Sequence, residues 1–323
     1  MKGTWKLRIR LTLAMIALFA MVYIILFLVL GILGINLGVS AYALIGLLLI
    51  FIQYLMGPKL VEMSMGVKHV TREEAPNIYQ MVEELALAAD VPMPKIGISE
   101  TNIPNAFAYG RTRRSGHICV TRGILGVVNR DELKAVLGHE MGHLKHNDMV
   151  ITTLVSAIPM ICYYVALSTM FQGDNDNGAG IILGLIAMVC YALGQLIVLF
   201  ISRTREYYAD QASVEFGNQP QYLASALYKL VYGAAQCNPQ EIKDVEGSKA
   251  FFLNDVSNTQ RDISEFSQVD FNRDGILGAD ELEKLQTENV KISTGSKIME
   301  LFSTHPDMLK RVKRLSAIQT GKE

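Results

Sequence analysis

Four long apolar blocks constrain this chain more than anything else in it. Residues 11–30, 37–56, 149–171 and 181–201 are nearly free of polar side chains, Thr12, Ser40, Gln53 and Gln195 being among the few exceptions. Each block is close to the ~20 residues that a helix needs to cross a bilayer. They come as two closely spaced pairs, so the expected architecture is four transmembrane helices in two hairpins. Of the 323 residues 50% are hydrophobic and 19% charged, too apolar a balance for a soluble domain of this size, and the blocks account for the excess. A signal peptide is the alternative for the first block, since Lys2, Lys6, Arg8 and Arg10 precede it. Its apolar run exceeds a signal core, and a second span follows almost at once. Buried core helices are the alternative for the third and fourth blocks.

The basic residues assign a direction. Lys2, Lys6, Arg8, Arg10, Lys59, Lys68, Arg203 and Arg205 all fall on one side of the spans, whereas loops 31–36 and 172–180 carry no Lys or Arg. By the positive-inside rule both termini and the segment between the hairpins face the cytoplasm. A net charge of −1 gives no case for nucleic acid. Cys119, Cys162, Cys190 and Cys237 are far apart and form no C-x-x-C pair, which argues for core packing rather than disulfides or a thiolate metal site.

Between the hairpins, residues 76–89 read as a helix opened by Pro76, with Ile78, Met81, Val82, Leu85 and Leu87 as its apolar positions. Strand-like runs follow at 95–99, 106–109 and 117–121, suggesting a small sheet whose edge could take an extended peptide. Asn129 and Glu132 then form a capping-box pair, and Leu133, Val136, Leu137 and Leu144 an apolar helical face. On that helix stands His139-Glu140-Met141-Gly142-His143. Residues four apart share a helix face, so both imidazoles, lying off the apolar face, can turn to one ion with Glu140 beside them. Zinc held this way, with the glutamate as general base, is the mechanism behind the H-E-x-x-H pattern.

A catalytic zinc needs a third protein ligand. His146 is nearest, but it lies about 10.5 Å along the helix axis from His139. Glu206 and Asp210, four apart, offer a second helix from which Glu206 would reach the metal and Asp210 the outer nitrogen of a ligand histidine. A solvated charged turn just past a membrane span is the other reading of that stretch.

These motifs together, His139-Glu140-x-x-His143, a membrane hairpin, Ser202-Arg203-x-Arg205-Glu206-Tyr207-x-Ala209-Asp210 and Ser303-Thr304-His305-Pro306, resemble the HtpX family of membrane zinc metalloproteases. Asn105-Ala106-Phe107-Ala108 and Arg311 fit the same pattern, so the resemblance covers nearly the whole chain. It implies a gluzincin site with zinc on His139, His143 and Glu206, Glu140 as general base, Asn105 on an edge strand holding the substrate backbone, and His305 stabilising the oxyanion. It also implies protein substrates, misfolded or selected membrane proteins among them, and a bacterial inner membrane.

One stretch departs from that pattern. Asp270-Phe271-Asn272-Arg273-Asp274-Gly275-Ile276-Leu277-Gly278-Ala279-Asp280-Glu281 matches the calcium loop of an EF-hand: side-chain oxygens from Asp270, Asn272 and Asp274, the Ile276 carbonyl, and a bidentate Glu281. Ile263, Phe266, Val269, Leu282 and Leu285 supply the apolar positions of two flanking helices. An Asp/Asn/Gly-rich surface turn is the plainer alternative.

The expected organisation is an α+β, mainly helical, membrane-anchored zincin. A transmembrane hairpin spans 1–58 and the first part of the catalytic domain 59–148. A second hairpin spans 149–201, and the second catalytic part 202–323, with the EF-hand-like insertion at about 255–295. The expected activity is zinc-dependent endoproteolysis, calcium-modulated. A CAAX prenyl protease-like peptidase and a non-catalytic calcium-responsive adaptor are the competing functions.

Overall fold

The computed structural model describes residues 39–171, 179–238, 240, 252–253, 259–266, 268–272, 276–285 and 294–321. The first apolar block lies outside these residues. The second falls on α1 (Val39–Ser64), the third on α5 (Asp148–Phe171) and the fourth on α6 (Ala179–Glu215).

Among the described residues one helical stretch, Gly180–Glu215, is long and apolar enough to cross a membrane. Ile181, Ile182, Leu185, Ile186, Val189, Leu193 and Leu196 of α6 are exposed, as are Phe51, Ile52, Leu55 and Met56 of α1 and Met160 of α5. Val155 and Ile158 of α5 meet Ile201 of α6 in a small buried cluster.

Between α1 and the histidine helix lies a four-stranded sheet, β1 (Val67–His69), β2 (Lys95–Ser99), β3 (Ala106–Gly110) and β4 (Gly116–Thr121), in the order β1-β2-β4-β3. Strands β2 and β4 are parallel and the two outer pairs antiparallel, leaving β1 and β3 as edges. Sequence patterning anticipates β2, β3 and β4; the three-residue β1 is too short to leave a signature. Helix α2 (Pro76–Ala89) has the expected proline in its first turn and buries Ile78, Met81, Val82 and Leu85, but Leu87, two residues on from Leu85 and so turned about 200° around the helix, is exposed.

Helix α3 (Arg122–Val127) leads to α4 (Arg130–Lys145), the histidine helix. Asn129 Oδ1 accepts the Glu132 N–H at 2.9 Å and Glu132 Oε2 accepts the Asn129 N–H at 2.8 Å, a reciprocal cap of the kind that stabilises a helix start by about 1 kcal/mol. Glu132 is buried, and Ser225 Oγ and Lys229 Nζ of α7 (Pro220–Ala235) donate to it at 2.7 and 2.9 Å, so the cap also docks α7 onto α4. Asn147, in the left-handed region at φ 55°, turns the chain from α4 into α5.

Helices α8 (Thr259–Phe266), α9 (Ala279–Lys284), α10 (Thr294–Glu300) and α11 (Met308–Gln319) follow among the described residues. Phe266, Val269, Leu282 and Leu285 around the EF-hand-like segment join Leu309, Val312 and Leu315 of α11 in the main core.

Candidate metal centre and active site

Helix α4 is covered on both sides. Its apolar residues face the sheet and α2, and the histidine face lies under α6, with His139 fully buried. The close approach follows from small residues. A Cβ on Gly142 would stand 2.9 Å from Ala212 Cβ and 3.1 Å from Ala209 Cα, so glycine between the two histidines lets α6 lie directly against α4. Ser213 Oγ donates to the Ala135 carbonyl at 2.6 Å across the same contact.

That contact delivers Glu206. His139 Nε2 and His143 Nε2 are 3.1 Å apart, Glu206 Oε2 is 3.5 Å from the first and Glu206 Oε1 3.5 Å from the second. Carboxylates take both outer ring nitrogens: Asp210 Oδ1 lies 2.9 Å from His139 Nδ1, and Asp148 Oδ2 lies 2.6 Å from His143 Nδ1. With each Nδ1–H directed at a carboxylate, both Nε2 atoms become acceptors aimed at each other and at a third acceptor, and a cation satisfies all three. A tetrahedral zinc with ligands at about 2.0–2.1 Å spaces them about 3.3 Å apart, which these distances match. His139, His143 and Glu206 therefore fit zinc. Glu140 lies with the two histidines, its ligand atom within 4.8 Å of theirs.

The outer carboxylates are themselves held. Arg311 of α11 donates from Nη2 to Asp210 Oδ1 at 2.6 Å and from Nε to Oδ2 at 3.0 Å, and its Nη1 is 3.2 Å from Glu206 Oε2. Arg205 forms an ion pair with Asp148. Sequence reading proposes Asp210 for such a role but misses Asp148, and notes Arg311 without giving it a function. Asp148 is five residues beyond His143 on the next helix, a spacing that reveals a partner only once the turn at Asn147 is known.

Electrostatics divide the two imidazoles in the metal-free chain. Burial would lower the His139 pKa, but the hydrogen bonds with Asp210 and Glu206 outweigh it and raise it to about 9. Burial and the His139 charge together push His143 down to about 4. Burial also raises the Glu140 carboxyl above its usual range, against the pull of the two histidines and a hydrogen bond with the Ala108 backbone on edge strand β3.

His305 is buried, and Thr304 Oγ1 lies 2.9 Å from its Nδ1. Arg203 positions its segment by donating from Nη1 to the carbonyls of Leu301 and Ser303 at 3.2 and 2.7 Å. Asn105 precedes β3 and is fully enclosed, its Oδ1 accepting the Leu253 N–H at 3.0 Å; the Leu253 carbonyl in turn accepts Arg311 Nη1 at 2.9 Å. His146 caps α4 with its ring 5.9 Å from that of Tyr208, outside the ligand cluster.

Of the EF-hand-like positions, Asp274 lies outside the described residues. Asp270 Oδ2 accepts from Tyr228 Oη at 2.6 Å. Glu281 is buried; its Oε1 accepts the N–H groups of Phe271 and Asn272 at 2.9 and 3.3 Å, and its Oε2 that of Gly278 at 3.1 Å. Asn272 and Ile276 are exposed.

Two helix-borne histidines closed by a glutamate from a second helix, with a further glutamate alongside, are the residue set of the zinc metalloendopeptidases. A family model described as Peptidase family M48 matches residues 72–319. The Protease HtpX homolog of Methanothermobacter thermautotrophicus is 55% identical over 229 residues, covering 71% of this chain and 87% of that one. The Protease HtpX homolog of Bifidobacterium longum is 35% identical over 284 residues, 85% and 81% of the two chains. Among solved structures, the crystal structure of S. mikatae Ste24p aligns with a TM-score of 0.54 at 16% identity, covering 96% of this chain and 66% of that one, which shows a shared fold. The chain belongs to peptidase family M48 and is an HtpX-like metalloprotease.

Proposed function

We propose that this peptidase is an integral membrane enzyme with four spans in two hairpins, its catalytic domain in the cytoplasm, cleaving misfolded or selected membrane proteins. The observation that carries this reading is α6 itself, one helix whose first part is an exposed apolar row and whose last part carries Glu206 and Asp210. The exposed apolar side chains of α1 and α5 support the same reading, and the basic residues at the span ends support the orientation. Relatives come from archaea as well as bacteria, so the membrane is proposed only as the cell membrane.

His139, His143 and Glu206 would hold zinc, which when bound acidifies water and polarises the scissile carbonyl. Asp210 and Asp148 keep the two imidazoles in the tautomer that leaves Nε2 as donor of its lone pair. Glu140, in a buried site that raises its proton affinity, accepts the proton of the attacking water and passes it to the leaving amine. Edge strand β3, whose Ala108 backbone reaches Glu140, is proposed to align the substrate strand. His305 is proposed to donate to the oxyanion as it forms. Asn105 is proposed to hold the substrate backbone, a role that requires the Leu253 segment to release its Oδ1.

The test is cleavage of an unfolded membrane protein by detergent-purified, zinc-loaded enzyme beside Glu140→Gln. Loss of about 10²–10⁴-fold in the variant, with zinc retained, is expected for removal of a general base. Equal hydrolysis by both proteins removes Glu140 from the mechanism. A strong preference for a farnesylated peptide would move the enzyme to the prenyl protease type instead.

A calcium role for the 270–281 loop is a second reading, favoured by one observation. Glu281 folds over the start of the loop through the Phe271 and Asn272 amides, which brings the two ends of the twelve-residue motif together, and calcium would take its oxygens in exchange for those amides.

A further inference from the structure

We propose that Glu62, His69 and His117 form a second transition-metal site, separate from the catalytic centre, that takes Zn²⁺ where the membrane helix α1 meets the sheet. One ligand atom from each of the three lies within 4.8 Å of the other two, and together with the catalytic histidine cluster this is one of the two such groups among the described residues. Two imidazoles and a carboxylate suit a borderline divalent cation such as zinc far better than calcium or magnesium.

The chain assembles the group from three elements. Glu62 lies near the C-terminal end of α1, His69 ends β1 and His117 sits on β4. Strand β2 runs between β1 and β4, yet at the point opposite His69 it presents only Gly97, so the two rings approach across it to a centroid distance of 5.2 Å. Glu62 Oε1 is 3.1 Å from His69 Nε2, and Tyr109 Oη donates to the same carboxylate oxygen at 3.4 Å. The Tyr109 ring stacks on His117 at 4.6 Å and fixes its plane.

Hydrogen bonding alone leaves this cluster incomplete. His69 and Glu62 satisfy each other, but His117 Nδ1 is enclosed and has no hydrogen-bond partner. A buried ring nitrogen without a partner costs free energy, and a histidine beside two further donors recovers it on a shared cation. Burial and the neighbouring His69 lower the His117 pKa, so that ring is neutral near pH 7 and has a lone pair to give. Lys59, 3.4 Å from Glu62 Oε2, competes for the carboxylate, but its side chain is 73% exposed and free to turn away.

The expected behaviour differs from that of the catalytic centre. His69 is partly exposed, so zinc here exchanges readily and binds more weakly than the enclosed His139, His143 and Glu206 set. When filled, the site ties α1 to β1 and β4 by three bonds, clamping the anchor to the catalytic domain.

The experiment is zinc titration of the chelator-stripped, detergent-purified full chain, with bound metal counted by mass spectrometry after equilibrium dialysis. Wild type is expected to take two equivalents in two affinity classes, and His69→Gln only one, of the tighter class. His143→Gln is expected to keep the weaker equivalent, and the double variant neither, so failure at the catalytic centre and failure here read out separately. His69 is exposed, and its variant should melt like the wild type without metal. One equivalent in both wild type and His69→Gln, or two in both, overturns the proposal.

Discussion

Asp148 Oδ2 stands 2.6 Å from Nδ1 of His143, although the two residues belong to different helices joined by the left-handed turn at Asn147. The orientation of the second histidine is thus set by the start of the helix that follows it. Asp148→Asn should weaken zinc binding by about 10–100-fold, the usual cost of losing such an outer partner. Asp210→Asn should do the same through His139. Zinc affinity measured by competition with a chelator checks both, and unchanged affinity in either would deny that carboxylate its positioning role.

Zinc binding should release a proton. The metal-free His139 is held protonated up to about 9, because Asp210 and Glu206 outweigh burial, while His143 at about 4 is already neutral. Zinc takes only neutral imidazole, so affinity should rise with pH, roughly tenfold per unit, and level off above about 9. Calorimetry at pH 7.5 in buffers of different ionisation enthalpy should report about one proton released per catalytic zinc. An enthalpy that ignores the buffer would contradict the raised His139.

Gly142→Ala tests the packing of α6 on α4. Its methyl group would meet Ala212 Cβ at 2.9 Å and the Ala209 backbone at 3.1 Å, so the helices must separate. We expect a loss of about 1–3 kcal/mol, as for other overpacked contacts, together with weaker zinc retention as Glu206 withdraws. Gly126→Ala is the control: nothing lies within 4 Å of its Cβ, and no such loss should appear in thermal melting.

Calcium should raise the melting temperature of the wild type and leave that of Glu281→Gln unchanged. The variant gives up a charged acceptor for three backbone amides, so it should also melt lower than the wild type without calcium. No calcium shift in the wild type would leave Glu281 as a cap for α9 alone.

Much of the site is written locally. The spacing of His139, Glu140 and His143, the cap at Asn129 and Glu132, and the pairing of Glu206 with Asp210 are helical periodicities, readable because their geometry is fixed within one element. What escapes the sequence is contact between distant elements. Arg311 meets Asp210 across 101 residues, and Asn105 holds the Leu253 backbone across 148, distances over which no periodicity carries information. The burial of the histidine face escapes for the same reason, since it depends on glycine and alanine permitting α6 to lie close. Four spans are readable as composition, whereas the described residues offer one helix of sufficient length and apolarity.

Helix α6 runs unbroken for 37 residues, about 55 Å at ~1.5 Å per residue, nearly twice the thickness of a hydrocarbon core. On the proposed reading it is a lever with one arm in lipid and the other at the zinc site. Tilting it by about 5° around the middle of its apolar part would carry Glu206, about 22 Å away, through roughly 2 Å, many times the ~0.2 Å tolerance of a metal–ligand bond. Bilayer thickness and lateral pressure would then bear on the same rod that carries Glu206, the proposed third ligand, and the small-residue seam with α4 would have to resist them.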